Sequence, residues 1–451
     1  MPGSELIRKY NVAGPRYTSY PTVPFWSNSP TEIQWLNCIN KQMETDRSMS
    51  LYIHLPFCES LCTYCGCNTR ITVNHAVETP YITALLKEWK MYVDKMDKIP
   101  LIKEIHLGGG TPTFFSAENL DRMLNGIFSL AERDPDIECS FEAHPNNTDQ
   151  EHLQLLFDWG FRRVSFGIQD FDPEVQRVIN RKQSFEKVKE ITAKAKTIGY
   201  TSVNYDLIYG LPKQTISSVT DTIEKVKVLN PDRIAFYSYA HVPWIKPGQR
   251  SFTEMDLPVG IEKSLLYETG RRMLEECGYK EIGMDHFALE KDSLYTSMLE
   301  GNLHRNFMGY TSSGRNQLMI GLGVSSISDS WTAFAQNVKT IESYYELLAE
   351  DRFPIFKGHL LTAEDLIIRK HILNIMCNFE TDWSDPSMQF EELDRVSKSL
   401  VELEKDEFVV LTPFHLHVTE KGRAFLRNIC MTFDLLLLRK QPDTIIFSTT
   451  V

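Results

Sequence analysis

Short runs of apolar and β-branched residues alternate with longer stretches in which apolar positions recur at helical spacing. This alternation predicts βα units arranged around a parallel sheet. Strands are predicted over 50–55, 103–107, 137–142, 163–168, 202–208 and 233–239. Helices are predicted over 78–92, 117–130, 185–197, 216–229 and 261–277. Six such units predict an α/β fold built on an incomplete parallel (β/α)6 barrel, open on one side. From 280 to 329 the pattern turns irregular and aromatic. Near residue 362 a different unit begins, with helices over 363–378 and 390–404, a β pair across 408–418 and a helix over 420–437. Two helices, a β wing and a further helix predict a small, mostly helical, winged-helix-like domain. The chain thus divides into an N-terminal extension (1–48), a partial barrel (49–345) and a C-terminal domain (360–451).

The unusual residues fall just after the predicted strands. A cysteine cluster follows the first, and Gly108-Gly109-Gly110-Thr111-Pro112 follows the second. The third ends on Glu142, the fourth leads to Gln169, the fifth holds Asp206 and the sixth runs into Ala240-His241. In barrel-type α/β folds the loops at the C-terminal strand ends converge. Six separate oddities are therefore expected to form one pocket.

Composition narrows the class. With 42% hydrophobic and 24% charged residues the chain reads as a globular enzyme. A net charge of −12 argues against gripping nucleic acid through its phosphates. The longest wholly leucine run, Leu435 to Leu438, is closed by Arg439 and Lys440, so no membrane span is expected. The first eleven residues lack the apolar run of a secretory signal, and the expected location is cytoplasmic. Nine cysteines in a reducing compartment read as buried hydrophobes or metal ligands rather than disulfides.

Four of the nine fall in one ten-residue loop, Cys58, Cys62, Cys65 and Cys67, spaced CxxxCxxCxC. The first three thiolates can wrap one corner of a cuboidal iron–sulfur cluster, soft sulfur suiting iron. The fourth iron is then left without a nearby protein ligand and is open to the amino and carboxylate groups of S-adenosylmethionine. A zinc site using all four cysteines is the alternative, although zinc sites usually join two short pairs from separated places. Cys67 reads either as a small loop residue or as a neighbour of the cluster that does not ligate it. The run Gly108–Gly110 reads as a tight turn or as backbone that a ligand can approach closely.

At these residues the chain resembles the radical S-adenosylmethionine superfamily, and within it the family of oxygen-independent coproporphyrinogen III oxidases (dehydrogenases). The resemblance runs from Lys9-Tyr10-Asn11 and the Gly14-Pro15-Arg16-Tyr17-Thr18-Ser19-Tyr20-Pro21-Thr22 segment through Pro56-Phe57-Cys58 and Phe166-Gly167-Ile168-Gln169-Asp170. It continues in Gly283-Met284-Asp285-His286-Phe287, His304-Arg305-Asn306-Phe307 and Arg427-Asn428-Ile429-Cys430. It implies one [4Fe–4S] cluster on Cys58, Cys62 and Cys65, and two molecules of S-adenosylmethionine. Tyr52, Gly109, Glu142 and Ile327 match the positions that bind the cluster-bound molecule. Tyr64, Gly110, Thr111, Gln169, Arg181, Asp206 and Ala240 match those for the second. Tyr64 stands where Phe is familiar, and His144 where an acidic residue is usual.

The implied reaction is oxidative decarboxylation of two propionates of coproporphyrinogen III to vinyls, giving protoporphyrinogen IX in haem biosynthesis. Four substrate carboxylates call for cations, and Arg8, Lys9, Arg16, His304 and Arg305 are the candidates. The N-terminal extension is expected to cover the substrate. Implied partners are an electron donor for the cluster and an unidentified terminal acceptor, with no nucleic acid or membrane and a monomeric chain. A haem-carrying relative lacking the Gly14–Thr22 segment is the rival reading.

Overall fold

The computed structural model describes residues 4–312, 317–440 and 447–450; parts of all three expected units (1–3, 313–316, 441–446 and 451) lie outside the described residues. Its centre is six adjacent parallel strands: β1 (Ser48–Leu55), β2 (Leu101–Gly109), β3 (Glu132–Ala143), β4 (Phe161–Gln169), β5 (Ser202–Tyr209) and β6 (Arg233–Ser238). Period-two alternation sorts their side chains. Leu51, Ile53, Ile105, Leu107, Phe141, Val164, Phe166, Val203 and Tyr205 enter the hydrophobic core. Between them Tyr52, His106, Glu142, Ser165 and Asp206 take the opposite face, where the polar site is built.

The helices Ala117–Phe128, Gln150–Asp158, Phe185–Ile198 and Ile216–Leu229 each start on a capping side chain: Ser116, Asp149, Ser184 and Thr215. Each cap satisfies an orphan N–H of the first turn, so the chain enters its helix abruptly. The strand ends are left free to carry function.

The sheet extends beyond the six units. The segment read as irregular supplies β7 (Met319–Leu322), which lies parallel to β1 with Met319 opposite Ser50. Ile327–Asp329, Ala333–Asn337, Ile355–Leu360 and Ser27–Ser29 continue that flank. On the other flank the hairpin Lys280–Gly283/His286–Ala288 pairs antiparallel with β6. Among the described residues the result is an open sheet of 13 strands with a partial barrel at its centre. These added strands are only three to six residues long, too short for a clear local pattern to announce them.

The N-terminal 48 residues split in two. Helix Glu32–Thr45 buries Trp35, Ile39 and Met43 in the main core. The earlier part sends Tyr17 and Tyr20 into a second core with Ile368, Leu400, Phe408 and Ile429 of the C-terminal unit. That unit has helices Ala363–Asn378 and Leu393–Lys405 and a three-stranded wing of Glu380–Asp382, His415–Val418 and Val409–Thr412. The helix expected over 420–437 is not continuous. A 3₁₀ turn, Lys421–Phe425, leads into Leu426–Phe433 and then Leu435–Arg439. The break is at Asp434, whose carboxylate accepts from the Leu437 N–H and from Tyr17 Oη. No helix among the described residues is long and apolar enough to cross a membrane.

Candidate active site

The C-terminal ends of β2 to β6 and the cysteine loop enclose one cavity of about 280 Å³. Its lining includes Cys58, Cys62, Cys65, Tyr64, Gly109, Gly110, Thr111, Glu142, Gln169, Arg181 and Asp206. Eleven positions read separately from sequence thus share one wall.

The glycine loop is held against the cysteine strand by backbone bonds from Gly110 N to Leu55 O (2.8 Å) and from Thr111 N to Phe57 O (3.0 Å). A Cβ on Gly110 would lie 2.7 Å from the Pro56 carbonyl, and one on Gly109 would lie 2.7 Å from the His54 ring. Gly109 also has φ +112°, a conformation open to glycine. No other residue type lets the two loops approach so closely.

Thr111 Oγ1 lies 3.3 Å from Cys58 Sγ, and Arg181 Nη1 donates to Cys62 Sγ at 3.5 Å. Burial pushes the Cys58 thiol up to about 11. A hydrogen bond from Cys67 brings Cys65 down to about 6, with Lys246 and Arg181 adding to the fall. Burial opposes the Arg181 charge, yet Tyr64, Cys62 and Cys65 hold its pKa above the usual range. Burial, helped by the Glu142 charge, pushes Asp206 up to about 6. Burial would also raise Glu142, but His106 and the Gly109 N–H bring it below its ordinary value. His144 is pushed down to about 2 by burial and by Arg181. It therefore lines the cavity as a neutral imidazole, accepting from Asn146 N at 3.1 Å.

The donor set fits an iron–sulfur cluster and a bound nucleoside sulfonium. Four free cysteines, Cys58, Cys62, Cys65 and Cys67, line the cavity beside a cationic guanidinium. Among the described residues no three His, Cys, Asp or Glu side chains gather closely enough for a single metal ion. A cuboidal cluster instead spreads its thiolates over separate irons. Gln169 Oε1 is buried without a hydrogen-bond partner on the cavity wall, as a ligand-binding amide would be.

Other expected residues lie further off. Tyr52 is buried at the flank, its hydroxyl 3.1 Å from His54 Nδ1 and its ring edge-on to Phe307. Ala240 reaches the site through Gln249, which donates to the carbonyls of both Tyr64 and Ala240. Ile327 packs over Gly321, which pairs with Tyr52. His304 and Arg305 sit on a hairpin whose Met308, Tyr310 and Thr311 line a deeper chamber. That chamber shares Glu142, Ser165, Asp206 and Tyr237 with the main cavity.

Arg8, Lys9 and Arg16 do not line the main cavity. Arg8 is on the exposed side of helix Ser4–Tyr10. Lys9 pairs with Glu402 and Asp406 of the C-terminal unit. Arg16 lines a separate crevice, donating to Ser238 O at 2.6 Å and pairing with Asp285 at 3.3 Å.

Three polar residues escaped the sequence reading. His106 faces Glu142 at 3.5 Å, and Ser165 and Asn204 donate to the two oxygens of Asp206 at 2.9 and 2.8 Å. Each is a polar break at an alternate position of a buried strand, which is the signal that marks it.

The Radical SAM superfamily matches this chain over residues 52–226. The oxygen-independent coproporphyrinogen III oxidase of Escherichia coli (strain K12) is 39% identical over 445 residues, covering 96% of this chain and 95% of its own. That of Helicobacter pylori (strain J99) is 39% identical over 442 residues, covering 96% of each chain. The solved structure of the Escherichia coli coproporphyrinogen III oxidase, described as a radical SAM enzyme, superposes with a TM-score of 0.88 at 38% identity. It covers 93% of this chain and 97% of that one. Fold and site together define a radical S-adenosylmethionine enzyme. Within that superfamily the chain belongs to the oxygen-independent coproporphyrinogen III oxidase family.

Proposed function

We infer that this chain oxidatively decarboxylates two propionates of coproporphyrinogen III to vinyls, giving protoporphyrinogen IX in haem biosynthesis without oxygen. The observation that carries the reading is the meeting of three cysteine thiols with Arg181, Glu142 and Asp206 in one cavity, on a chain related over its length to enzymes of that name. Cys58, Cys62 and Cys65 would hold a [4Fe–4S] cluster. When bound, the cluster and S-adenosylmethionine supply a 5′-deoxyadenosyl radical.

The chain's own residues bind and orient. Tyr52, Gly109, Glu142 and Ile327 surround the cluster-bound S-adenosylmethionine in this reading. Tyr64, Gly110, Thr111, Gln169, Arg181, Asp206 and Ala240 surround a second molecule. Arg181 suits a carboxylate, while Glu142 and Asp206 suit ribose hydroxyls or an amine. His304 and Arg305, on the hairpin beside the deeper chamber, are the favoured partners for substrate carboxylates. Each propionate loses a β-hydrogen atom, carbon dioxide and one electron. The electron donor to the cluster and the acceptor of the substrate's electrons are separate partners. A monomeric chain working in the cytoplasm completes the reading, supported by nine cysteines that are all free.

The test is anaerobic incubation of the reconstituted protein with coproporphyrinogen III, S-adenosylmethionine and dithionite, followed by chromatography of the oxidised porphyrins. Protoporphyrin accompanied by 5′-deoxyadenosine is expected. Haem or porphyrin binding without any vinyl product overturns the reading in favour of a carrier.

A further inference from the structure

β3 ends at Ala143, and the chain turns at once into a short 3₁₀ segment, Pro145–Asn147, capped by the side chain of His144. A residue before proline is confined to extended backbone, and His144 has φ −98° and ψ 124°. Two further side chains clamp the turn. Asn146 Nδ2 donates to Lys182 O at 2.9 Å. Thr148 Oγ1 donates to His144 O at 2.8 Å and lies 3.0 Å from Thr113 Oγ1, just beyond the glycine run. The His144 imidazole therefore has a fixed place on the cavity wall that Arg181, Gly110 and Thr111 also line, and the Arg181 charge is felt at the ring.

The turn fixes the imidazole's proton as well. Asn146 N donates to His144 Nδ1 at 3.1 Å, so the neutral ring carries its proton on Nε2. Nε2 has no hydrogen-bond partner among the described residues and is the polar atom that the ring offers to the cavity. An N–H in such a place calls for an acceptor. The carboxylates among the lining residues, Glu59, Glu142 and Asp206, suit amines and hydroxyls and repel an anion. Arg181 and the His144 N–H together make a corner suited to a carboxylate.

We propose that His144 is a specificity residue of the second S-adenosylmethionine site, its Nε2–H donating to the ligand carboxylate that Arg181 also holds. The proposal rests on the radical-enzyme reading with two bound molecules. A neutral donor beside a buried guanidinium strengthens the preference for a carboxylate without burying a second cation.

The test is equilibrium dialysis of labelled S-adenosylmethionine, and of its decarboxylated analogue, against the reconstituted holoenzyme and its His144→Asn and His144→Gln variants. Asn places its amide at the reach of Nδ1, so it keeps the cap on Asn146 and withdraws the cavity donor. Gln reaches as far as Nε2 and keeps that donor. We expect His144→Asn to weaken binding of the second molecule about tenfold, the worth of one hydrogen bond to a charged group, and His144→Gln to stay within about threefold of the parent. The cluster-bound molecule, followed in the EPR spectrum of the reduced cluster, should bind as in the parent. The decarboxylated analogue should occupy the second site equally in all three proteins. A loss in His144→Gln equal to or larger than that in His144→Asn marks a capping role alone and overturns the proposal. Unchanged affinity in both variants, or an equal loss for the decarboxylated analogue, also overturns it. A parent protein that binds no S-adenosylmethionine, or only one molecule, strikes the reading beneath the proposal, and the proposal falls with it.

Discussion

Arg181 donates from Nη1 to the sulfur of Cys62 at 3.5 Å, while Nε and Nη2 both donate to the Gly167 carbonyl. One buried guanidinium thereby joins the end of β4 to the cysteine loop and keeps its charge at the cavity wall. The β4 carbonyl fixes where that charge sits, and the neighbouring thiols favour it.

Arg181→Met should therefore separate cluster loading from substrate-sulfonium binding. Iron content should stay near that of the parent. Affinity for S-adenosylmethionine should fall roughly tenfold to hundredfold, the worth of one charge-assisted bond of about 1.5–3 kcal/mol. Equilibrium binding on the reconstituted protein reads this directly, and undiminished affinity would remove Arg181 from the site.

Changing Cys58, Cys62 or Cys65 to Ala should abolish iron loading and the brown colour if, as proposed, each supplies one of three protein ligands. Cys67→Ala should keep both. Iron assay after anaerobic purification decides the matter. Equal loss in all four variants would show a four-cysteine site.

Asp206 carries a stability consequence. Its folded pKa is about 6 against an ordinary 3.8, with burial the leading cause. The folded state thus holds this proton more tightly than the unfolded chain does. The penalty for ionising it is absent below pH 3.8, grows between 3.8 and 6, and is complete above 6. Asp206→Asn should raise the melting temperature of the cluster-free protein at pH 8. The gain should shrink as pH falls toward 4. Thermal unfolding across that range checks the sign, and a gain confined to acid pH would contradict the assignment.

Deleting residues 1–19 should leave iron loading and S-adenosylmethionine binding largely intact, because the positions proposed for them begin at Tyr52. Porphyrinogen turnover should collapse. The deletion removes Tyr17 from the second core and strips Arg427 of the Gly14 and Pro15 carbonyls it holds. Leaving buried donors unmade costs about 1–3 kcal/mol each, so the C-terminal unit should also become more sensitive to protease. Unchanged turnover would make the extension a packing strap alone.

Much of this architecture is legible in the chain. The six central strands carry local signals, apolar alternation and a glycine or polar residue at the C-terminal end, and the four helices Ala117–Phe128, Gln150–Asp158, Phe185–Ile198 and Ile216–Leu229 add a capping side chain. The three thiols and the glycine run are local as well, and the parallel order of the strands brings them together. Boundaries drifted where tertiary contacts lengthen an element, as in β3, which begins at Glu132 rather than 137 because Leu101 and Ile102 of β2 pair with its first residues.

What the tertiary structure alone decides is which distant segments meet. Met319 lies beside Ser50, a pairing that closes about 270 residues of chain and rests on a four-residue strand with no pattern of its own. The same holds for the cations. Lys9, Arg16 and Arg305 are equivalent in the sequence as basic residues near recognisable motifs. The fold gives Lys9 to Glu402 and Asp406, sets Arg16 against Asp285 in a separate crevice, and buries Arg305 over the Tyr310 ring. Charge is a property of the residue, whereas its partner depends on long-range packing. The sequence by itself therefore determined the chemistry carried by the strand ends, and the folded structure decided which charges reach it.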